Sequence, residues 1–281
     1  MLLLTTWEAA YRLTAFDRKT NPNGWKDWVF PAPSHVVDAF ANMLNLRTAF
    51  GKPVSTPGWP WPKATETKER SIVNSQLVIG NVVSVTRLAI GFALSIVFGA
   101  ILGLLMWRWR GLDEFVGPVF LGLQTLPSVC WVPLAILTFG INETAILFVL
   151  IMGSFFAIAI SLRDGLRTIP PIYSRAGLML GARGWRLYRY VLLPASLPAL
   201  TSSLRSGFSF AWRSLMGAEM LFAVERHGLG MLLSIGRDQS DVAQVVAVMI
   251  VMVVIGMVVD RFGFARLERA VHQRFGLIAT T

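Results

Sequence analysis

Val242-Ala243-Gln244-Val245-Val246-Ala247-Val248-Met249-Ile250-Val251-Met252-Val253-Val254-Ile255-Gly256-Met257-Val258-Val259 decides the fold class. It carries no charge, and Gln244 is its one strongly polar side chain. An uncharged stretch of about 18 apolar residues or more reads as a transmembrane helix. Four further apolar runs precede it, at Leu77–Met106, Phe115–Phe139, Ile141–Leu162 and about Val191–Ala223. A sixth, Leu2–Phe16, carries Glu8 and Arg12 and is too short to span alone. The expected fold is therefore all-α and integral to the membrane, with five clear transmembrane helices and a short or partial first helix. Composition agrees: 54% of the 281 residues are hydrophobic and 15% are charged, against about 25% charged in soluble domains. Ten tryptophans suit the aromatic belts at lipid headgroups.

A net charge of +10 would suit nucleic acid, but its distribution argues against that. Arg167, Arg175, Arg183, Arg186 and Arg189 fall together without an acid, and Arg261, Arg266, Arg269 and Arg274 crowd the carboxyl-terminal tail. Both clusters abut apolar runs, as cytoplasmic loops do under the positive-inside rule. Arg163–Tyr190 and the tail are thus expected inside, and Asp17–Ser75 and Val224–Asp241 outside. The chain divides into 1–75, a partial first helix and external loop, and 76–281, the membrane domain. Within 1–75, Ser34 can cap a short amphipathic helix from His35 to about Leu46. Gly91, Gly99 and Gly103 would let a neighbouring helix approach closely. Pro127 and Pro133 interrupt the second run, and Gly228-Leu229-Gly230 reads as a flexible external turn. Cys130 lies in an apolar stretch and is read as a small hydrophobe. No secretory signal is expected, because a basic n-region and a small-residue cleavage site are lacking.

The stretch that carries function lies between the third and fourth runs. Pro170-Pro171 forces a new helix start. Ile172–Leu180 forms a short helix, and Gly181 permits the bend that ends it. A second helix, Arg183–Leu192, sets Trp185 beside basic residues, and Pro194 breaks it before the next span. Such a projection suits docking a partner. Its residues are Tyr173, Arg175-Ala176-Gly177, Gly181, Trp185, Val191, Leu193 and Pro194.

This spacing resembles the EAA motif of bacterial ATP-binding-cassette importers: Glu-Ala-Ala, three residues, Gly, nine residues, Ile-x-Leu-Pro. Ala176, Gly181, Leu193 and Pro194 match it, and Val191 replaces Ile. Arg175 stands for the Glu and Gly177 for the second Ala. Ser84-Val85-Thr86-Arg87, Leu126-Pro127, Trp131-Val132-Pro133-Leu134, Phe139-Gly140-Ile141, Asp164-Gly165 and Ala218-Glu219-Met220 are similar to permeases of the nitrate/sulfonate/taurine/bicarbonate group. Trp7-Glu8-Ala9-Ala10 resembles the outer end of that family's first span, so the sequence is expected to begin partway through that helix. The resemblance implies a permease in the bacterial inner membrane that works as a pair, usually two copies of one chain. Its partners would be two ATPase subunits inside and an extracytoplasmic substrate-binding protein outside, and its cargo a small oxyanion. Related permeases carry vitamin precursors instead.

No cofactor is expected in this chain, because Gly51-Lys52 is followed by Pro53 and makes no phosphate-binding loop; ATP and Mg would belong to the ATPase subunits. His35, His227 and His272 are scattered, without metal-ligand spacing. No nucleophile–base set appears, which disfavours a membrane enzyme; a self-contained channel or secondary transporter would need no docking loop. Among charges at membrane depth, Arg213 and Glu219 lie well inside a run, whereas Arg87 and Arg205 are nearer ends and can snorkel. Arg213 has two readings. It lines an oxyanion's path, or it pairs structurally with Glu219 of a second copy or with helix-end carbonyls. Glu219 is a further pathway candidate, as are Gln124, Thr125 and Ser128, beside Pro127.

Overall fold

The computed structural model describes residues 6–11, 31–44 and 75–274, and among these every regular element is helical. The chain forms two compact units, Met1–Val85 with Glu219–Val254, and Thr86–Ala218 with Ile255–Thr281.

Small residues organise the second unit. Helix α2 (Gln76–Arg108) has 33 residues, roughly 50 Å at 1.5 Å per residue, ample for a bilayer core of about 30 Å. Gly91, Ser95, Gly99 and Gly103 share one face of it, and α5 (Glu143–Arg167) lies against that face. A Cβ at Gly91 would stand 2.7 Å from Leu150 Cδ2, one at Gly99 2.9 Å from Ile158 Cβ, and one at Gly103 2.7 Å from Ala159 O. Between them Ser154 Oγ bonds Ser95 Oγ at 2.7 Å, while the Ser95 hydroxyl donates to Gly91 O at 2.8 Å. Lipid tails are as apolar as leucine, so close van der Waals approach and such hydrogen bonds hold these helices together. Partner numbers rise together along α2 and α5, so the two helices are parallel.

The chain between two parallel neighbours must return along their length. It does so through α3 (Arg110–Thr125) and α4 (Val132–Phe139), joined by a 3-10 turn at Ser128–Trp131 and bent by 103°. Leu126 is extended at the break, Pro127 precedes the 3-10 turn and Pro133 occupies the first turn of α4. The run Phe115–Phe139 is thus two helices rather than one. Asn142 then caps α5, its side chain accepting from Ala145 N–H at 3.0 Å.

Helix α6 (Pro171–Met179) and a short turn, Trp185–Leu187, lead through a π-turn (Tyr188–Leu192) into α7 (Leu193–Leu221). The expected second helix, Arg183–Leu192, is therefore one α-turn followed by wider winding. Pro194 does not break it: near the start of α7, its missing N–H is tolerated. Helix α7 runs antiparallel to α5, with Gly153 facing Ser214, Ile158 facing Gly207 and Gly165 facing Ala199.

Three helical stretches are long and apolar enough to cross a membrane, Gln76–Arg108, Glu143–Arg167 and Val242–Arg269, or four with the bent pair. The expectation was five. Helix α7 has the length, at 29 residues, but its serines, Arg205, Arg213 and Glu219 make it too polar to count by composition.

In the first unit, α1 (Pro33–Met43) begins after Ala32 with Pro33 in its first turn and without a side-chain cap. The cap expected at Ser34 lies inside the helix, because proline's fixed φ already suits that first turn. Leu46 falls outside the described residues, as does most of Leu2–Phe16, of which residues 6–11 are helical. Helix α8 (Leu229–Asp238) replaces the expected flexible turn: Gly228 is its N-cap and Leu229 is fully buried. The Glu219 carboxylate, 1% exposed, accepts from Gly230 N–H at 3.0 Å and lies 2.7 and 2.9 Å from Ser84 Oγ, whose hydroxyl donates to it. Ser84 Oγ in turn accepts from Leu229 N–H at 2.8 Å. The first N–H groups of α8, orphaned by helix geometry, are thus answered by a buried anion at the positive end of the helix. Asp241 caps α9 (Val242–Val258) by accepting from Gln244 N–H at 2.9 Å. A π-turn (Val259–Phe264) and α10 (Ala265–Arg274) follow.

Candidate functional site

The loop between α5 and α7 folds as a closed unit. Leu180 ends α6, and Gly181 takes φ +81°, the left-handed region that glycine occupies freely. Ala182 N–H donates to Gly177 O and Gly181 N–H to Leu178 O, both at 3.0 Å, the paired bonds of a Schellman turn. Gly177 is buried, and a Cβ there would meet Leu187 Cδ1 at 2.6 Å and Val191 Cγ2 at 3.0 Å. The glycine that replaces alanine in the motif therefore lets α6 lie directly on the return strand of the loop. Val191, Leu193 and Pro194 are half-buried beneath it, while Tyr173, Arg175 and Ala176 are exposed. Trp185 opens the short turn. Met179 and Leu180, absent from the expected set, are 90% and 87% exposed at the tip. Their position after the Gly177–Leu178 pair could have flagged them, because the turn at Gly181 must throw the last helical side chains outward.

Deep arginines are mostly neutralised. Arg87, expected to snorkel, is 5% exposed and forks onto Glu143, with Nε and Nη2 at 2.7 and 2.6 Å from its oxygens. Arg163 bonds Asp113 at 2.9 Å and Asp164 at 2.8 Å, and Arg167 reaches Asp113 at 2.7 Å. Gly117 leaves room for this cluster, since a Cβ there would stand 2.7 Å from Arg163 Nη1. Arg205, whose side chain is 44% exposed, forks onto Asp260 at 2.6 and 2.7 Å and touches Glu268 at 3.3 Å.

Arg213 differs. Its Nε donates to Ser209 O at 3.0 Å and its guanidinium lies 4.8 Å from the centre of the Phe210 ring. Among the described residues no carboxylate pairs with it, and its Nη groups have no acceptor. It lines a cavity of about 300 Å³ together with Gln124, Thr125, Ser128, Gly153 and Ser214. Four of the five pathway candidates thus converge. Glu219 is not among them: its carboxylate is occupied at the head of α8, and no bond to Arg213 forms within the chain. Ser214 and Gly153 were not foreseen. They face each other across the α5–α7 contact, and a Cβ on Gly153 would run into Ser214 Oγ, so the glycine keeps this wall of the cavity open. Cys130, near the bend, is exposed rather than buried.

Comparison with known proteins agrees with this architecture. Residues 95–273 match the family described as binding-protein-dependent transport system inner membrane component. A putative ABC transporter permease of Methanocaldococcus jannaschii is 34% identical over 66% of this chain and 69% of its own length. The bicarbonate transport system permease protein CmpB of Synechococcus elongatus is 27% identical over 69% of each chain. The nitrate import permease protein NrtB of a Synechocystis species is 27% identical over 64% of each. In solved structures, the inward-facing MetNI methionine ABC transporter contains a chain of the same fold. It superposes with a TM-score of 0.59 at 22% identity, over 69% of this chain and 95% of that one. With a family match over most of its length and an ordered set of helices to carry it, the chain belongs to the binding-protein-dependent transport system inner-membrane components and is the permease subunit of an ATP-binding-cassette importer.

Proposed function

We propose that this permease passes a small oxyanion of the nitrate, sulfonate, taurine or bicarbonate type, driven by ATPase subunits that dock on the loop between α5 and α7. The observation that carries the docking assignment is the loop's geometry. A Schellman turn at Gly181 closes α6 and leaves Met179 and Leu180 almost wholly exposed at its tip. Apolar side chains held out by a rigid turn suit a groove on a partner better than water. The oxyanion assignment is supported by the permeases named for bicarbonate and nitrate and by the unpaired Arg213 at the cavity.

Helix α7 is the fifth crossing in this reading, because it follows α5 antiparallel from Gly165 to Gly153. Ser196, Ser203 and Ser214 are buried against protein, and Arg213 lines the cavity. Two crossings then separate the basic Arg163–Tyr190 loop from the basic carboxyl terminus, which supports a cytoplasmic location for both under the positive-inside rule. ATP and Mg are bound by the ATPase chains, a binding protein delivers the anion from outside, and two copies of this chain form the pore. Closure of the ATPases draws α6 inward and turns the helices to face outward; hydrolysis resets them.

Mild-detergent purification from the native membrane, followed by mass spectrometry, tests the assembly. Recovery of a P-loop ATPase that is lost when Gly181 and Leu193 are made bulky and polar supports the docking site. A chain that purifies alone and still moves solute in liposomes would overturn it.

A further inference from the structure

The cavity beside Arg213 has a bonding inventory that says which oxyanion it suits. The guanidinium supplies a cation with two free Nη groups, held in place by Ser209 O and the Phe210 ring. The hydroxyls of Ser128 and Ser214 have no hydrogen-bond partner among the described residues, so each can donate to an anion or accept from it. Thr125 is different. Its hydroxyl hydrogen is committed to Gly122 O at 2.7 Å, which leaves only acceptor lone pairs on Oγ1. Gln124 can meet either need: its Oε1 is buried without a partner, and its amide carries two donors besides. Its amide can therefore turn toward the cavity without breaking a bond.

A ligand that only accepts, such as nitrate, would satisfy Arg213, the serines and the Gln124 amide and leave Thr125 facing lone pairs. An anion that also donates would satisfy Thr125 as well. Leaving a desolvated polar group unpaired is the strongest source of discrimination between similar ligands. We propose that the Arg213 cavity is a substrate subsite within the permease, built for a small oxyanion that carries its own hydrogen-bond donor, the chemistry of bicarbonate or an aminosulfonate. This proposal rests on the oxyanion reading above and narrows it.

The test is equilibrium binding of radiolabelled bicarbonate to the purified full chain in phosphatidylcholine nanodiscs, with nitrate as competitor. Transport by the complete complex is measured in parallel in proteoliposomes. Saturable binding is expected, weakened about tenfold or more by Arg213→Gln and less by Arg213→Lys, which keeps the charge without the fork. Nitrate should compete only at concentrations about fivefold higher or more, and Thr125→Val should bring the two anions within about twofold. Binding indifferent to Arg213→Gln, or a preference untouched by Thr125→Val, would overturn the proposal. So would displacement of bicarbonate by phosphatidylglycerol added to the discs, which would assign the guanidinium to a lipid phosphate. If the complex transports no oxyanion while the chain binds bicarbonate through Arg213, the substrate reading falls and the subsite stands.

Discussion

Arg205 and Arg213 lie two turns apart on α7, and the protein treats them in opposite ways. Arg205 is clamped by Asp260 and approached by Glu268. Arg213 has Phe210 and its own helix for company, with no carboxylate among the described residues, and it borders a cavity. The same split runs through the second unit, where Arg87 and Arg163 have acids within 2.9 Å. A charge that the fold neutralises fixes helices together. A charge left unneutralised keeps its field for something that arrives, and at membrane depth that makes Arg213 the candidate for function.

That contrast predicts two kinds of failure. The largest stability loss belongs to Asp113→Ala, which leaves Arg163, itself 8% exposed, with Asp164 alone and removes the partner of Arg167. Breaking a buried pair from one side costs about 3–5 kcal/mol. Replacing Arg163 by Met in the same background should recover part of that, because the under-paired buried charge goes with it. Thermal unfolding in detergent reads both. If the double variant is as unstable as the single, the cluster acts through packing rather than charge.

Arg213→Gln should invert the pattern. Thermal stability stays near wild type, while transport by the complete complex falls by about tenfold or more, the scale of a lost charge-assisted contact. A variant that unfolds as readily as Asp113→Ala would place Arg213 among the structural arginines and dissolve the contrast. Glu219→Ala offers the intermediate case, since this buried carboxylate is structural through the backbone N–H it answers at the head of α8. Losing a cap and leaving Gly230 N–H unanswered costs about 1–2 kcal/mol. Hydrogen exchange at Leu229 and Gly230 should rise selectively, and exchange that rises evenly along α8 would show that the carboxylate does something other than cap.

How much of this was readable beforehand depended on whether the signal is local. The face of α2 was legible because Gly91, Gly99 and Gly103 recur at helical spacing, and Gly181 was legible because a left-handed turn requires it. The bend was half legible: Pro127 and Pro133 marked it, but their separation into a 3-10 turn and a new helix depends on the return between α2 and α5. Helix α7 was legible as an apolar run, but its composition leaves its crossing a proposal, because polar residues that face protein look the same in sequence as residues that face water. The role of Glu219 was hidden altogether, since its partners Ser84 and Gly230 lie 135 and 11 residues away. Gln124, Thr125, Ser128 and Arg213 stood out one by one as polar residues in apolar runs. Their convergence with Ser214 and Gly153 is set by the register of α5 on α7, which no spacing in the chain announces.

The smallest effect sharpens the contrast most. Arg205 is 44% exposed and Asp260 40%, so solvent already screens much of their attraction. Exposed pairs contribute about 0.2–1 kcal/mol, and Arg205→Gln should therefore lower stability by no more than that, with transport unchanged. The shift should shrink further in high salt, as screening removes what remains of the pair. Set beside Arg213→Gln, this variant removes the same guanidinium from the same helix two turns away. Comparable transport losses in the two would mean that any positive charge on α7 serves the anion, through a long-range field. A loss confined to Arg213 would mean that the cavity's geometry matters, and that the clamp on Arg205 has taken its charge out of the transport path.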